Sequence, residues 1–331
     1  MRALDLRHLA SDAEPGETRP AVTDPGVLVF GEALADLVPR DAMGTVYDAV
    51  LGGSGFNTAL ALARFGARAG YCATLSSDAI GARFRDRLAL EGVDMRFCAT
   101  SAAPTPLAVI APVGKDGEAH YHFHLAGTAL DAPPPTPAAL DGFVHLHLTS
   151  FAATTGPAGD TALALAGRMR GRGGSVSYDV NIRPAALPPR DEALRLVERR
   201  IAHCDLVRAS RDDIDWLFPG EAPDDLAARW RSGGTRLVIV TDGADGAICH
   251  GDQGSIPISG RPVAVADTIG AGDTFIAGVL AMLAARRRLG TDLKALARAD
   301  IESALDFAAG VAAETCTRPG CDPPRRSARP R

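Results

Sequence analysis

The sequence predicts an α/β fold in which a mostly parallel central sheet is flanked by helices on both faces. Short apolar runs alternate with helical stretches along most of the 331 residues, and 46% of the residues are apolar. Alternation of this kind favours parallel strands joined by helices in three layers. Residues 35–51 and 104–125 contain strand-like pieces with no helix between them, so we expect a small antiparallel β lid there. Two ordinary surface hairpins are the alternative.

The elements follow one another in a regular order. Strands are expected at 27–30, 70–74, 107–111, 144–149, 175–179, 206–209 and 237–241, with a further strand-like run at 262–266. Helices are expected at 57–65, 79–90, 161–170, 191–202, 274–287 and 301–315. Ligands of such sheets bind outside the carboxyl ends of the strands.

One domain is expected to span residues 26–325. Residues 1–25 carry charges and prolines without periodic apolar positions, which predicts a flexible N-terminal extension. Residues 326–331 are basic and are expected to form a disordered, solvated tail.

Composition excludes several classes of function. A net charge of −5 argues against nucleic-acid binding, which needs a basic face. No apolar run approaches the ~18 residues of a membrane-spanning helix, and the N-terminus has no apolar leader. The six cysteines form no CxxC pair, which disfavours zinc and redox motifs. We expect a cytoplasmic protein with no membrane or nucleic-acid partner.

The most informative segment is the loop at 267–273, which ends in Gly270-Ala271-Gly272-Asp273 and leads into a predicted helix. Small residues at a helix start allow backbone N–H groups to approach an anion. A carboxylate beside that anion is suited to removing a proton from an attacking hydroxyl. The alternative for Asp273 is a helix cap, which does not explain the small residues before it.

This loop resembles the second signature of the PfkB (ribokinase-like) carbohydrate kinases, over residues 267–280. The first signature is recognisable at 52–59, with Gly66 at the matching distance and Ser76 where many members have glycine. The resemblance implies a ribokinase-like fold and an ATP-dependent sugar kinase. It implies that Asp273 is the catalytic base and that Gly270, Ala271 and Gly272 form its anion hole.

Sugar-binding residues are carried over from the same resemblance. Asp36 matches the family's aspartate that holds sugar hydroxyls, and Gly52, Gly53 and Asn57 match its Gly-Gly and asparagine. Carboxylates and amides are suited to fixing the hydroxyls of a polyol. Without the resemblance, Asn57 would be interpreted as a residue at the start of a helix.

Residues 179–184, Asp-Val-Asn-Ile-Arg-Pro, resemble the family's D-P-N-x-R stretch, with Val180 in place of proline. Arg183 is therefore a candidate for binding substrate or phosphate, with a purely structural role as the alternative. Ser210 and Asp213 occupy the family's N-x-x-E positions, which implies nucleotide binding and Mg²⁺ held through water. The alternative is a capped surface helix.

The remaining positions concern the nucleotide and a monovalent cation. Thr241, Gly243 and Gly246 match the family's nucleotide-binding turn, and Ala308 begins a stretch to Gly320 that resembles the wall of its adenine site. By the same alignment, a possible K⁺ site would comprise the Asp267 carboxylate and the backbone of Ile269, Thr315 and Gly320.

The stretch at 31–39 is most similar to fructokinase-like members, which implies phosphorylation of D-fructose. Kinases of 2-keto-3-deoxygluconate, or of another sugar or nucleoside, are the alternative. In the keto-deoxygluconate branch a Tyr-x-Arg in the lid helps to hold the substrate carboxylate. Here those positions are His124 and Leu125, which favours a neutral sugar, although Arg183 remains a possible partner for an acid.

The sequence disfavours two other classes of protein. A nucleotide-dependent oxidoreductase would need a GxGxxG after an early strand, which Gly31-Glu32-Ala33 does not supply. A non-catalytic sugar-binding protein would not need Asp273 beside an intact loop. The expected partners are ATP with Mg²⁺, a small sugar and a second copy of the chain that pairs through the lid.

Overall fold

The computed structural model describes residues 25–41, 43–111, 121–137 and 139–328. The predicted extension therefore lies outside the described residues except for its last residue, as does part of the predicted lid at 112–120. The strands are β1 (Gly26–Phe30), β2 (Leu34–Pro39), β3 (Tyr47–Gly52), β4 (Ala69–Ser76), β5 (Asp94–Ser101), β6 (Leu107–Ile110), β7 (Tyr121–His124), β8 (Phe143–Thr149), β9 (Ser175–Asp179), β10 (Leu206–Ser210), β11 (Leu237–Asp242), β12 (Gly246–Gly251) and β13 (Gly254–Ser259).

Nine of the described strands form the central sheet, in the order β13-β12-β11-β10-β9-β8-β1-β4-β5. All neighbours are parallel except β11–β12 and β12–β13, which are antiparallel. From β1 the chain first builds outward through β4 and β5, and it then builds the opposite side from β8. The strand order thus reverses between β1 and β8, which is where such sheets bind ligands.

Helices cover both faces of this sheet and confirm the predicted three layers. One core cluster packs α1, α2, α7 and α8 against the sheet, and a second packs α3 to α6 against the other face. The helices are α1 (Ser54–Arg64), α2 (Ala79–Leu90), α3 (Gly156–Gly171), α4 (Arg190–Ile201), α5 (Arg211–Leu217), α6 (Pro223–Ser232), α7 (Ala271–Ala285) and α8 (Arg298–Thr315). Within the described ranges, no helix combines the length and apolarity needed to cross a membrane.

The segments predicted to form the lid build a separate four-stranded sheet, in the order β3-β2-β6-β7; the function of this sheet as a lid stays a prediction. Its two hairpins, β2–β3 and β6–β7, are antiparallel, but β2 and β6 pair in parallel. The expectation of an entirely antiparallel lid was therefore wrong, because the two hairpins join through β2 and β6, which run in the same direction.

Other differences concern the edges of the central sheet. Residues 262–266, expected as a strand, have no regular structure, because Ala266 N–H donates to Cys316 O at 2.8 Å instead of to a neighbouring strand. Strands β5, β12 and β13 were not predicted. They lie at the two edges of the sheet, where the apolar signal is weak.

The C-terminal segment packs against the domain as far as the structure describes it. Ala328 is buried, and its N–H donates to Phe65 O at 3.0 Å. Arg325 pairs with Glu91 at 2.9 Å, and Arg326 with Glu314 at 2.7 Å. Residues 326–328 thus differ from the expected disordered tail, since the ion pair of Arg326 and the backbone hydrogen bond of Ala328 hold them; residues 329–331 lie outside the described residues.

Candidate active site

The glycine-rich loop leads directly into α7. Gly270 has a φ of 74°, in the left-handed region that favours glycine, and a Cβ on it would overlap Cys321 Sγ. A Cβ on Gly272 would lie 2.9 Å from Arg208 Nη1. The first helical hydrogen bond runs from Thr274 N to Gly270 O at 2.8 Å. The N–H groups before it lack helical acceptors, so with the helix dipole they form a site suited to an anion.

Ala271 is placed differently from its two neighbours in the predicted anion hole. Its N–H donates to Thr268 O at 3.2 Å and so belongs to the turn that begins the helix. The N–H groups of Gly272 and Asp273 come next in the first turn of α7 and are the more direct candidates for binding an anion.

Asp273 lies in the first turn of α7 with a side chain that is 6% exposed. Its Oδ1 accepts hydrogen bonds from Ser54 Oγ at 2.6 Å and from Asn181 Nδ2 at 3.4 Å. Its Oδ2 accepts from Asn57 Nδ2 at 2.9 Å. Both oxygens are oriented by donors from α1 and from the loop after β9, and Oδ2 has a second lone pair for a substrate hydroxyl.

Ser54 connects this carboxylate to the strand order reversal. Its Oγ lies 2.5 Å from Thr149 Oγ1 at the end of β8, and its N–H donates to Glu32 Oε1 at 2.9 Å, just after β1. Asn181 Nδ2 donates to the same Oγ at 2.9 Å. The pKa of Glu32 is raised to about 7, mainly by burial and in smaller part by the charge of Asp273.

The predicted sugar-binding residues face the same crevice. Asp36 is half-buried on β2; burial raises its pKa to about 6, while the charge of Arg183 opposes the rise. The charge of Asp273 also contributes to the rise in the pKa of Asp36. A Cβ on Gly52 would overlap Asp36 Oδ2, so glycine makes room for this carboxylate. Gly53 has a φ of 99° and precedes α1.

The prediction of a neutral sugar depends on His124 and Leu125, at the end of β7. His124 is exposed. Leu125 is half-buried and packs on the lid cluster that contains Leu34 and Phe151. Leu125 therefore belongs to the apolar support of the lid.

Ser210 and Asp213 form a capping box at the start of α5. Ser210 N donates to Asp213 Oδ2 at 2.7 Å, and Asp213 N donates to Ser210 Oγ at 3.1 Å. The other carboxylate oxygen, Oδ1, accepts from Ile182 N at 2.7 Å. Asp213 therefore joins α5 to the loop that carries Asn181. The helix cap and the site expected for nucleotide and Mg²⁺ thus involve the same two residues, Ser210 and Asp213.

The predicted nucleotide-binding turn lies at the end of β11. Thr241 Oγ1 accepts a hydrogen bond from Arg208 Nη2 at 2.5 Å, and Arg208 Nη1 pairs with Asp179 Oδ1 at 3.0 Å. Gly243 and Gly246 have φ values of 48° and 105°, which the tight turn into β12 requires.

Ala308 is the predicted site residue whose position departs most from expectation. It is fully buried on the face of α8 that packs against α7. A Cβ on Gly278 of α7 would lie 2.8 Å from its Cα. It therefore has no surface to present to a nucleotide. Gly310, on another face of α8, lines a groove of about 540 Å³ with Arg261 and Asp306.

Three of the four residues predicted for a monovalent cation come together. The Asp267 carboxylate accepts from Ile269 N and from Gly320 N, both at 2.9 Å. Thr315 is buried at the last residue of α8, and its Oγ1 donates a hydrogen bond to Val311 O at 2.9 Å. Within the described ranges, no cluster of three or more His, Cys, Asp or Glu side chains is able to hold a metal.

Four residues of the site were not among the predicted site residues: Glu32, Ser54, Thr149 and Asn181. Ser54 and Asn181 lie inside the two motifs that were quoted, so their neighbours in the sequence were a usable signal. Thr149 ends a predicted strand beside the crevice, and only the strand order brings it to Ser54.

A buried, oriented carboxylate next to an anion-binding helix start is the arrangement that a hydroxyl needs to attack a bound phosphoryl group. The fold and site thus define a phosphotransferase with an alcohol acceptor. The chain belongs to the pfkB family of carbohydrate kinases, whose family model matches residues 24–328. It is a sugar kinase of that family.

Characterised relatives agree with this assignment. The chain is 34% identical over 261 residues to a fructokinase from Rhizobium leguminosarum bv. trifolii, covering 78% of this chain and 79% of that protein. A Vibrio cholerae O395 fructokinase double mutant, solved with fructose, ADP and potassium ion, matches with a TM-score of 0.78 and 26% identity. The match covers 91% of this chain and 95% of that chain. A Xylella fastidiosa fructokinase with bound ATP matches with a TM-score of 0.80 and 26% identity, and the match covers 89% of this chain and 93% of that chain. These neighbours confirm the ribokinase-like fold.

Proposed function

We propose that the chain transfers the γ-phosphoryl group of ATP to a hydroxyl of D-fructose, with Asp273 as the general base. The observation that carries the proposal is the Asp273 carboxylate, buried beside the start of α7 and oriented by Ser54, Asn57 and Asn181. The sugar hydroxyl oxygen forms a bond to the γ-phosphorus, the bond from that phosphorus to the bridging oxygen breaks, and ADP leaves. The hydroxyl proton passes to Asp273.

The protein contributes mainly position and charge to this reaction. The N–H groups of Gly272 and Asp273 are suited to the oxygens of the transferred group. Gly270 and Gly272 are required because Cys321 and Arg208 occupy the positions where a Cβ would lie. Asp36, Asn57 and Arg183 surround the space for the sugar.

Two cations are part of the proposal. Each Asp213 oxygen accepts one backbone N–H and retains a lone pair, which suits Mg²⁺ held through water beside the ATP phosphates. Bound there, Mg²⁺ would neutralise phosphate charge. Asp267, with the adjoining backbone of Ile269 and Gly320, suits K⁺ next to the anion loop.

Fructose is preferred over a sugar acid in this proposal. Leu125 packs within the lid and offers no hydrogen bond to a carboxylate, so Arg183 is the cation that faces the sugar space. A lost charge-assisted bond of ~1.5–3 kcal/mol corresponds to roughly a ten- to hundredfold preference in kcat/KM. The relatives named as fructokinases support the same choice.

The test is a kinase assay with ATP and Mg²⁺ over a panel of neutral ketoses, 2-keto-3-deoxygluconate and nucleosides. We expect D-fructose to give the highest kcat/KM in wild type. If the sugar acid gives a higher value and loses its advantage in Arg183→Ala, the neutral-ketose proposal is wrong.

We also propose that the enzyme acts in the cytoplasm, which supplies ATP, and forms a homodimer through the lid. The lid exposes apolar side chains: Met43 is 85% exposed, Val46 49%, Val50 37% and Tyr121 38%. Light scattering on wild type and on Val50→Glu tests this. We expect a dimer that the substitution dissociates, and a monomeric wild type would contradict the proposal.

A further inference from the structure

Arg208 connects three neighbouring strands below the start of α7. It lies on β10 with a side chain that is 9% exposed. Its Nη1 donates to Asp179 Oδ1 on β9 at 3.0 Å, and its Nη2 donates to Thr241 Oγ1 on β11 at 2.5 Å. One guanidinium thus bonds the strands on both sides of its own.

The same guanidinium touches the anion loop. A Cβ built on Gly272 would lie 2.9 Å from Nη1, 3.1 Å from Nη2 and 3.2 Å from Cζ of Arg208. The group therefore fills the space in which residue 272 would carry a side chain. Within the described part of the chain, nothing accepts a hydrogen bond from the buried Nε of Arg208.

Stability alone is a poor reason for this arrangement. Asp179 is fully buried; burial raises its pKa to about 6, against the lowering effect of Arg208. A buried ion pair often contributes little net stability compared with apolar residues of the same volume. Burial acts to lower the pKa of Arg208, but the charges of Asp179, Asp213 and Asp273 raise it.

We propose that Arg208 is a positioning residue for phosphoryl transfer. It holds Gly272 in place through direct contact and puts a positive charge behind the N–H groups that receive the transferred phosphoryl group. The inference rests on the proposed function, because it takes the start of α7 as the site of that group. Only a planar guanidinium bonds Asp179 and Thr241 while lying against Gly272; a lysine is a single point charge.

The first experiment compares Arg208→Met and Arg208→Lys with Arg200→Met. Arg200 is a matched control: it is 1% exposed and bonds the carbonyls of Ala153 and Leu196, away from the crevice. We expect Arg208→Met to lower kcat roughly 10- to 100-fold and to raise the KM for ATP, with the KM for sugar unchanged. Arg208→Lys should recover part of kcat.

Arg200→Met should lower Tm without changing kcat per folded enzyme. If Arg208→Met does not fold, Arg208→Lys decides the question, since it keeps the charge but loses the fork. Wild-type values of kcat and of the KM for ATP in the folded Arg208 variant would overturn the inference.

The second experiment is a stability cycle that needs no substrate. Alanine at a helical position normally stabilises relative to glycine, but Gly272→Ala should lower Tm here because its Cβ meets Arg208. In Arg208→Met that loss should shrink; in Arg208→Lys, used if the first variant is unfolded, it should shrink in part. Equal losses in both backgrounds would overturn the contact.

These outcomes separate the two ideas. A wild-type enzyme that phosphorylates no sugar contradicts the proposed function, while the stability cycle still decides the contact. An active wild type with unaltered Arg208 variants contradicts the inference alone.

Discussion

The two sides of the crevice differ in how their functional carboxylates are held. On the α7 side, Asp273 is 6% exposed and accepts hydrogen bonds from three side chains. On the lid side, Asp36 is half-buried, and no described residue is seen to donate a hydrogen bond to its carboxylate. In the proposed function, the general base is therefore oriented by side chains of the protein itself, whereas Asp36 is oriented by the bound sugar. We accordingly expect chemistry to depend on the α7 side of the crevice and selectivity on the lid side.

The largest expected effect tests the pre-positioned side. Asp273→Asn should leave the fold and sugar affinity nearly intact while lowering kcat by ~10²–10⁴, the typical contribution of a general base. Steady-state kinetics with calorimetric sugar binding measure both quantities. A variant that keeps half of the wild-type kcat would remove Asp273 from this role.

The lid side should respond mainly through substrate binding. Asp36→Asn replaces a charged acceptor with a neutral amide, so we expect kcat/KM for the sugar to fall roughly ten- to hundredfold, mostly through KM. The KM for ATP serves as the internal control. A fall confined to kcat would show that Asp36 acts on the reacting group, and the contrast between the two sides would be lost.

A third prediction concerns pH, and it separates stability from catalysis. The pKa of Glu32 is about 7 in the folded protein against 4.5 for the free side chain, because the carboxyl is buried. Below pH 4.5 the proton is bound in both states, and the stabilisation is complete. As pH rises toward 7 the unfolded chain releases the proton first, so this stabilisation is lost.

Glu32→Gln should therefore reduce the fall in unfolding free energy between pH 5 and pH 8 by about 2 kcal/mol, as measured by urea denaturation. Glu302→Gln, at an exposed carboxylate of α8, is the control. An identical pH profile for wild type and Glu32→Gln would show that Glu32 does not hold its proton in the folded state.

The smallest effect is expected at the end of β8. Thr149→Val removes the hydroxyl that lies 2.5 Å from Ser54 Oγ but keeps the shape of the side chain. One neutral hydrogen bond is typically worth about 1 kcal/mol, so kcat should fall by roughly two- to tenfold. An unchanged kcat would mean that Asn57 and Asn181 orient Asp273 without help from the strand.

Sequence reasoning succeeded where function depends on short contiguous motifs. The α/β fold, the lid and the family followed from apolar periodicity and from two signatures in the chain. The contact between Ser54 and Asp273 joins residues 219 positions apart, and the packing of α1 and α7 in one core cluster brings them together.

Charged residues inside strands were harder to interpret. Arg208 gives no signal in the sequence, because a strand with a basic residue normally marks an exposed edge; here neighbouring strands bond it on both sides. The expectation that Ala308 lines the nucleotide site departs from the structure for a different reason: an alanine on a helix does not reveal which face of the helix is buried.

The C-terminal segment has a consequence for how the enzyme is made. Helix α1, with Ser54 and Asn57, leaves the ribosome well before the C-terminal segment that packs against it. Its last turn is completed by Arg64, which donates to Pro323 O at 2.5 Å, and by Phe65, which binds Ala328. Pro323 is synthesised 259 positions after Arg64. During translation, α1 therefore lacks this support until the segment that contains Pro323 and Ala328 has been made.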